Sequence, residues 1–145
     1  MSDSKLKINK LFKIFGTNAK KFVSHVNDGI SKQELLDEYN HVLGLNNINL
    51  EIPEQKVQVI MGLSGSGKST LIRHINRLIE PTSGEVLVDG ENILQMTSKQ
   101  LQEFRRKKTS MVFQKFALLP HKTVAQNVAY GLTIQGISEK TAKHD

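Results

Sequence analysis

Apolar and polar residues alternate along the first part of this chain. Leu6 and Ile8 stand between polar neighbours, and Leu11-Phe-Lys-Ile-Phe15 continues as an apolar-rich run to Gly16. That pattern predicts a strand over residues 5–15 closed by a turn. Phe22 and Val26 lie one helical turn apart within 18–27, before Asp28-Gly29, and Ser31-Lys-Gln-Glu34 has the Ser-x-x-Glu form of a capping box ahead of Leu35, Leu36 and Tyr39. Residues 17–41 therefore read as a helical insertion between strands. Alternation resumes over 42–52, where Ile48, Leu50 and Ile52 are separated by polar residues. Pro53-Glu54 then turns the chain into a further apolar strand, Val57-Gln-Val-Ile-Met61. Leu71, Ile72, Ile75, Leu78 and Ile79 recur at helical spacing, which predicts a helix with one face buried against a sheet. Beyond a turn at 80–84, Glu85-Val-Leu-Val-Asp-Gly90 reads as a strand ending in a hairpin signal. A helix over 98–108, a strand over 109–113 that runs into Gln114, a loop over 115–122, a helix from the N-cap Thr123 to about Ile134, and a last helix begun by Ser138 complete the pattern.

The chemistry concentrates where the Val57–Met61 strand meets the next helix, in Gly62-Leu-Ser-Gly-Ser-Gly-Lys-Ser-Thr70. Gly62, Gly65 and Gly67 lack a Cβ, so the backbone can take positive φ and bring successive N–H groups to face phosphate oxygens. Ser64 and Ser66 lie between those glycines. Lys68 reaches terminal phosphates as a point charge, and Ser69 presents a hydroxyl where a Mg²⁺ bridging the last two phosphates would sit. Thr70 continues the first helical turn, whose free N–H groups and dipole favour a polyphosphate at the same place. Strand, loop and helix in this order make a nucleoside triphosphate cradle. Asp89 ends an apolar strand as a Mg²⁺-binding aspartate would, but Gly90 follows it, and the pair reads as a hairpin turn.

The 145 residues suffice for one domain with a core, with 38% hydrophobic residues and no cysteine to supply a disulfide or thiolate metal site. No apolar run approaches the length of a membrane span, and the N-terminus lacks a signal-peptide core, so a cytosolic chain is expected. The net charge of +6 permits contact with nucleic acid. Its densest cluster, Arg105-Arg-Lys-Lys108, closes a helix without interleaved aromatic residues, so a solvated helix end is the reading and nucleic acid is not expected as a partner. His25, His41, His74, His121 and His144 fall at no metal-ligand spacing.

Three segments in this order, the phosphate loop, Glu80-Pro-Thr-Ser-Gly-Glu-Val-Leu-Val-Asp-Gly90, and Met111-Val-Phe-Gln-Lys-Phe-Ala-Leu-Leu-Pro-His121, resemble the ATP-binding subunit of an ABC transporter. The helical insertion, the wording Ile-Met-Gly-Leu-Ser-Gly-Ser-Gly-Lys-Ser-Thr and the Arg-Arg-Lys-Lys cluster resemble the glycine betaine/proline (osmoprotectant) importers within that family. The resemblance implies an α/β P-loop NTPase fold with an antiparallel β subdomain and an incomplete parallel core sheet. It implies ATP and Mg²⁺ as ligands, Phe15 as the ring that stacks on adenine, and Gln114 as the glutamine that touches Mg²⁺ and the attacking water. The segment after Gln114 would dock on membrane permease subunits. A second ATP-binding subunit and, indirectly, a substrate-binding protein would be further partners at the inner face of the plasma membrane.

The family's Leu-Ser-Gly-Gly-Gln signature, its apolar strand ending in Asp-Glu and its switch histidine do not occur in these residues. The expectation is a partial nucleotide-binding domain over 1–145 that binds MgATP without hydrolysing it, with apolar faces and strand edges left exposed. The alternatives are a stand-alone phosphate-loop regulatory module and an inert truncated fragment.

Overall fold

The computed structural model describes residues 4–114 and 117–137, so the helix expected from Ser138 lies outside the described residues. The chain forms two compact units, Met1–Met96 and Thr97–Asp145.

The first unit is organised by a four-stranded antiparallel sheet in the order β2-β1-β3-β4, built from β1 (Ser4–Phe15), β2 (Val42–Pro53), β3 (Ser83–Val88) and β4 (Glu91–Asn92). β1 lies at its centre and pairs with β2 from Ser4↔Pro53 to Phe15↔Val42, and with β3 from Leu6↔Val88 to Phe12↔Ser83. Strict alternation would carry Leu6 and Ile8 to one face and leave Leu11 on the other. A bulge between Ile8 and Leu11, with Lys10 at φ 45°, shifts the phase, and Leu6, Ile8, Leu11, Phe12 and Ile14 are all buried. β2 bends at the same level, where Asn47 has φ 47° and Asn49 Oδ1 accepts from Lys10 N at 2.9 Å. Gly84 makes the bulge possible: at φ +105°, a Cβ there would stand 2.4 Å from Lys10 O.

Residues 17–41 hold a 3-10 turn at Ala19–Phe22, α1 (Val23–Asn27) and α2 (Lys32–Tyr39). The capping box forms in full, with Ser31 Oγ accepting from Glu34 N and Glu34 Oε2 accepting from Ser31 N. Val26 and Leu35 pack on Phe12, Ile14 and Leu43, so the insertion shares the core of the sheet. Asp89-Gly90 forms the expected hairpin turn, both residues at positive φ, and Lys5 Nζ holds Asp89 at 2.6 Å. Thr82 fastens the segment ahead of β3 to β1: its N–H donates to Phe12 O at 2.8 Å, and its hydroxyl accepts from Ile14 N at 2.9 Å.

Three expectations are corrected. Val57–Met61 and Thr109–Phe113 are irregular rather than strands, and no parallel pairing occurs among the described residues. A strand exists through its ladder partners, and neither segment has one among the described residues. The apolar faces expected to be bare are bare: Val57 is 93% exposed and Val112 96%. The helix after the phosphate loop, α3 (Lys68–Ile75), stops before Leu78, because the chain turns through Arg77 at φ 52°. The Arg77 guanidinium donates to Ile93 O and Met96 O at 3.0 and 2.9 Å and pairs with Glu80 at 2.7 Å, which holds that turn. Of the expected apolar face only Leu71 is buried, while Ile72 and Leu78 are exposed.

In the second unit, α4 (Ser98–Lys107) starts at a Thr97–Gln100 capping box and carries Glu103 pairs to Arg106 and Lys107 at 3.2 and 3.1 Å. At its basic end Arg105, Lys107 and Lys108 are exposed. The helix expected over 123–134 is two helices, α5 (Val124–Val128) and α6 (Tyr130–Ile134), meeting at the buried Ala129.

Candidate nucleotide site

The loop takes its shape from two positive-φ glycines, a close approach at Gly62 and the hydrogen bonds of Lys68. Gly65 and Gly67 have φ of 77° and 91°, as the anion-nest reading requires, whereas Gly62 does not appear among the positive-φ glycines. The requirement at Gly62 is space, since a Cβ there would stand 2.8 Å from Ser66 Oγ. Gly67 is the N-cap of α3 and supplies no side-chain cap. The first amide groups of α3 are therefore directed out of the helix without a side-chain partner at the N-cap, the arrangement that receives an anion. Lys68 Nζ arches back over the loop and donates to Gly62 O at 2.7 Å, Leu63 O at 2.6 Å and Ser66 Oγ at 3.2 Å. These bonds place its ammonium at the mouth of the nest, where a polyphosphate can exchange for neutral carbonyls and strengthen the interaction.

Gly67 also touches the sheet. A Cβ on Gly67 would lie 2.6 Å from Gly44 O and 3.1 Å from Leu45 Cδ2, so the loop is seated on β2. The ring of Phe15 reaches the same β2 residue, since a Cβ on Gly44 would lie 2.7 Å from Phe15 Cε2. Phe15 and the phosphate loop, far apart in sequence, thus meet at Gly44. No sequence pattern distinguishes Gly44, a glycine inside an alternating strand; its signal is that strand interiors seldom carry glycine unless another backbone or ring comes close. Phe15 is 40% exposed, and Lys13 Nζ lies 4.9 Å from its ring centroid while donating to Glu80 O at 2.8 Å. Burial lowers the Lys13 pKa, against the opposing pull of Glu80.

Behind the loop, His74 on α3 is fully buried. Its Nδ1 donates to Thr70 O at 2.6 Å, and Nε2 has no hydrogen-bond partner among the described residues. Burial pushes the imidazole below its ordinary value, with the Thr70 carbonyl opposing and Lys13 adding to the shift. His74 is thus a core residue of α3.

Gln114 belongs to the second unit, where it is an exposed residue in a bend after the irregular 109–113 segment. Beyond it, Asn127 organises the loop ahead of α5. Its amide accepts from Leu119 N at 2.8 Å and donates to Leu119 O, Lys122 O and Thr123 O at 3.0–3.2 Å. Leu118, Val124 and Val128 stay exposed around that loop. Asn127 was not singled out by the sequence pattern, although the Thr123-x-x-Gln126 box beside it was readable. No group of three or more His, Cys, Asp or Glu residues among the described residues could hold a metal.

The family model for ABC transporters matches residues 45–145. The chain is 50% identical over 136 residues to the glycine betaine transport ATP-binding protein OpuAA of Bacillus subtilis, covering 94% of this chain and 32% of that protein. It is 48% identical over 134 residues to the glycine betaine/proline betaine transport system ATP-binding protein ProV of Escherichia coli, covering 92% of this chain and 34% of that one. A dimeric ATP-binding cassette in a post-hydrolysis state bound to ADP and Pi superposes with a TM-score of 0.75 at 29% identity, over 96% of this chain and 53% of that chain. The chain thus spans about a third of the length of the curated relatives it matches. With the glycine-rich loop, the helix it caps and the antiparallel sheet beneath them, these likenesses show that the chain belongs to the ABC transporter family.

Proposed function

We propose that this chain binds MgATP as the ATP-binding part of an importer subunit that energises uptake of glycine betaine/proline-type osmolytes. The observation that supports the nucleotide reading is that the Phe15 ring and Gly67 of the loop both come close to one β2 residue, Gly44. Phe15 stacks on the adenine, Gly62, Ser64, Gly65, Ser66 and Gly67 wrap the phosphates, and Lys68 neutralises their terminal charge. Thr70 continues the turn whose amides face them.

The donor chemistry suits a magnesium ion brought by the nucleotide. Ser69 offers a hard hydroxyl oxygen on an exposed turn, the amide oxygen of Gln114 is proposed from the family resemblance alone, and no group of three or more His, Cys, Asp or Glu among the described residues could hold a metal. When bound, the ion would draw charge from the terminal phosphates. The osmolyte specificity rests on the names of OpuAA and ProV. The exposed apolar residues Leu118, Val124 and Val128, beside the Asn127-braced loop, support docking on a membrane permease subunit. No helix among the described residues is long and apolar enough to cross a membrane, which fits a peripheral position on the cytoplasmic face. A second ATP-binding subunit and a substrate-binding protein complete the proposed assembly.

Calorimetric titration with ATP, with and without Mg²⁺, tests the site. Lys68→Ala is expected to weaken MgATP binding by about tenfold or more, as loss of a charge-assisted contact worth about 1.5–3 kcal/mol implies. Equal affinities for the two proteins would exclude the phosphate-loop assignment.

A further inference from the structure

We propose that His41 is a positioning residue for the nucleotide base, holding the turn after β1 so that the Phe15 ring faces a purine. The inference rests on the reading of Phe15 as the base platform. β1 and β2 make their last pair at Phe15↔Val42, and the chain leaves that pair on one side through Gly16 and Thr17 and arrives on the other through His41. The turn itself is exposed, and backbone pairing with β2 ends at Phe15. His41 takes over with its side chain.

The imidazole is 5% exposed, and each ring nitrogen lies opposite a carbonyl: Nδ1 faces Tyr39 O at 2.5 Å, and Nε2 faces Thr17 O at 2.7 Å. A carbonyl oxygen only accepts, so it is a proton on Nε2 that ties Thr17 O across this joint. One face of the ring is pressed on Gly16, where a Cβ would stand 2.3 Å from His41 Cδ2. The ring also meets Phe22, with centroids 4.1 Å apart, and Phe22 packs in turn on the core of Phe12, Ile14 and Leu43. Phe22 and Tyr39 are 5.0 Å apart and His25 and Tyr39 5.7 Å, so an aromatic cluster of the insertion backs the imidazole. The insertion therefore bears on the residues beside Phe15 through one polar side chain. An apolar residue could fill this space, but it could not hold the Thr17 carbonyl.

The test compares MgATP with inorganic tripolyphosphate, which has the phosphates and no base, by calorimetry on the full chain and on Phe15→Ala, His41→Leu, His41→Gln and the double variant Phe15→Ala/His41→Leu. Base stacking on an aromatic ring is strong enough that its loss weakens binding by about fivefold or more. Phe15→Ala and His41→Leu are both expected to lose ATP affinity to that extent while binding tripolyphosphate as the parent does. His41→Gln, which keeps an N–H donor, recovers most of the loss, and the double variant binds ATP no more weakly than Phe15→Ala alone. If His41→Leu proves unstable, Gly16→Ala displaces the imidazole from the other side and is expected to show the same selective loss. Selective loss in Phe15→Ala with none in the His41 and Gly16 variants would overturn the inference and leave the base platform standing. Equal weakening of both ligands by His41→Leu would also overturn it, as a general structural effect. Undiminished ATP binding by Phe15→Ala would overturn the base-platform reading itself and the inference with it.

Discussion

Two apolar stretches of the first unit, β1 with its Leu6, Ile8, Leu11 and Ile14, and the Val57–Met61 segment ahead of the phosphate loop, have similar strand character in the sequence. Their fates differ. β1 has a ladder on both sides and a helical insertion over its core, and its apolar residues are buried. Val57–Met61 has no ladder partner among the described residues, and Val57, Val59 and Met61 are exposed. The difference teaches that apolar alternation records a readiness to pair, while the neighbour decides whether a strand forms. It also means that the loop gains its seat from β2, through Gly67 against Gly44 O, rather than from the segment that leads into it.

Truncation in the two stretches gives the widest contrast. Leu11 is fully buried, so Leu11→Ala should cost about 2–5 kcal/mol, whereas Val59→Ala should stay within about 0.5 kcal/mol of the parent in urea unfolding monitored by circular dichroism. Comparable losses at both positions would mean that Val57–Met61 is covered in solution and the contrast is false. Next in size is the cap of α2. Ser31→Ala removes the hydroxyl that accepts from Glu34 N, with an expected loss of about 1 kcal/mol. Since α2 packs through Leu35 on the β1 core, that loss should appear in the global unfolding transition; an effect confined to local helix fraying would separate the insertion from the sheet.

The smallest expected effect lies under the loop, at His74. Burial holds its imidazole below the ordinary value, so as pH falls the unfolded chain takes up the proton first. The native state is therefore undiminished above the ordinary imidazole range and loses stability as pH drops from about 7 toward 5. His74→Leu should flatten that part of the Tm profile. A variant whose Tm falls as steeply as the parent's would place the acid sensitivity elsewhere.

Much of the site was legible because phosphate chemistry is local. Gly65, Gly67, Lys68 and Ser69 lie within one loop and one helical turn, so the roles proposed for them rest on spacing alone. The Ser31 capping box and the Asp89-Gly90 hairpin were legible for the same reason, each being settled by residues three positions apart or fewer. The early end of α3 was not, because Leu78 and Ile79 continue the helical spacing while the chain is turned at Arg77 by bonds to Ile93 O and Met96 O. The burial of both Leu11 and Phe12 was equally hidden, since it depends on a bulge at Lys10 that a distant Gly84 admits.

By itself the sequence determined the caps, the turn chemistry, the glycine-rich loop and the family resemblance, since these depend on residue types at short, fixed spacings. The tertiary structure alone decided that Phe15 and Gly67 meet at Gly44, that His41 clamps the turn beside Phe15, and that Val57–Met61 goes unpaired among the described residues. Each of these depends on which distant backbone comes within a few ångströms, and the pairing register of a sheet, with its bulges, is what sets that distance.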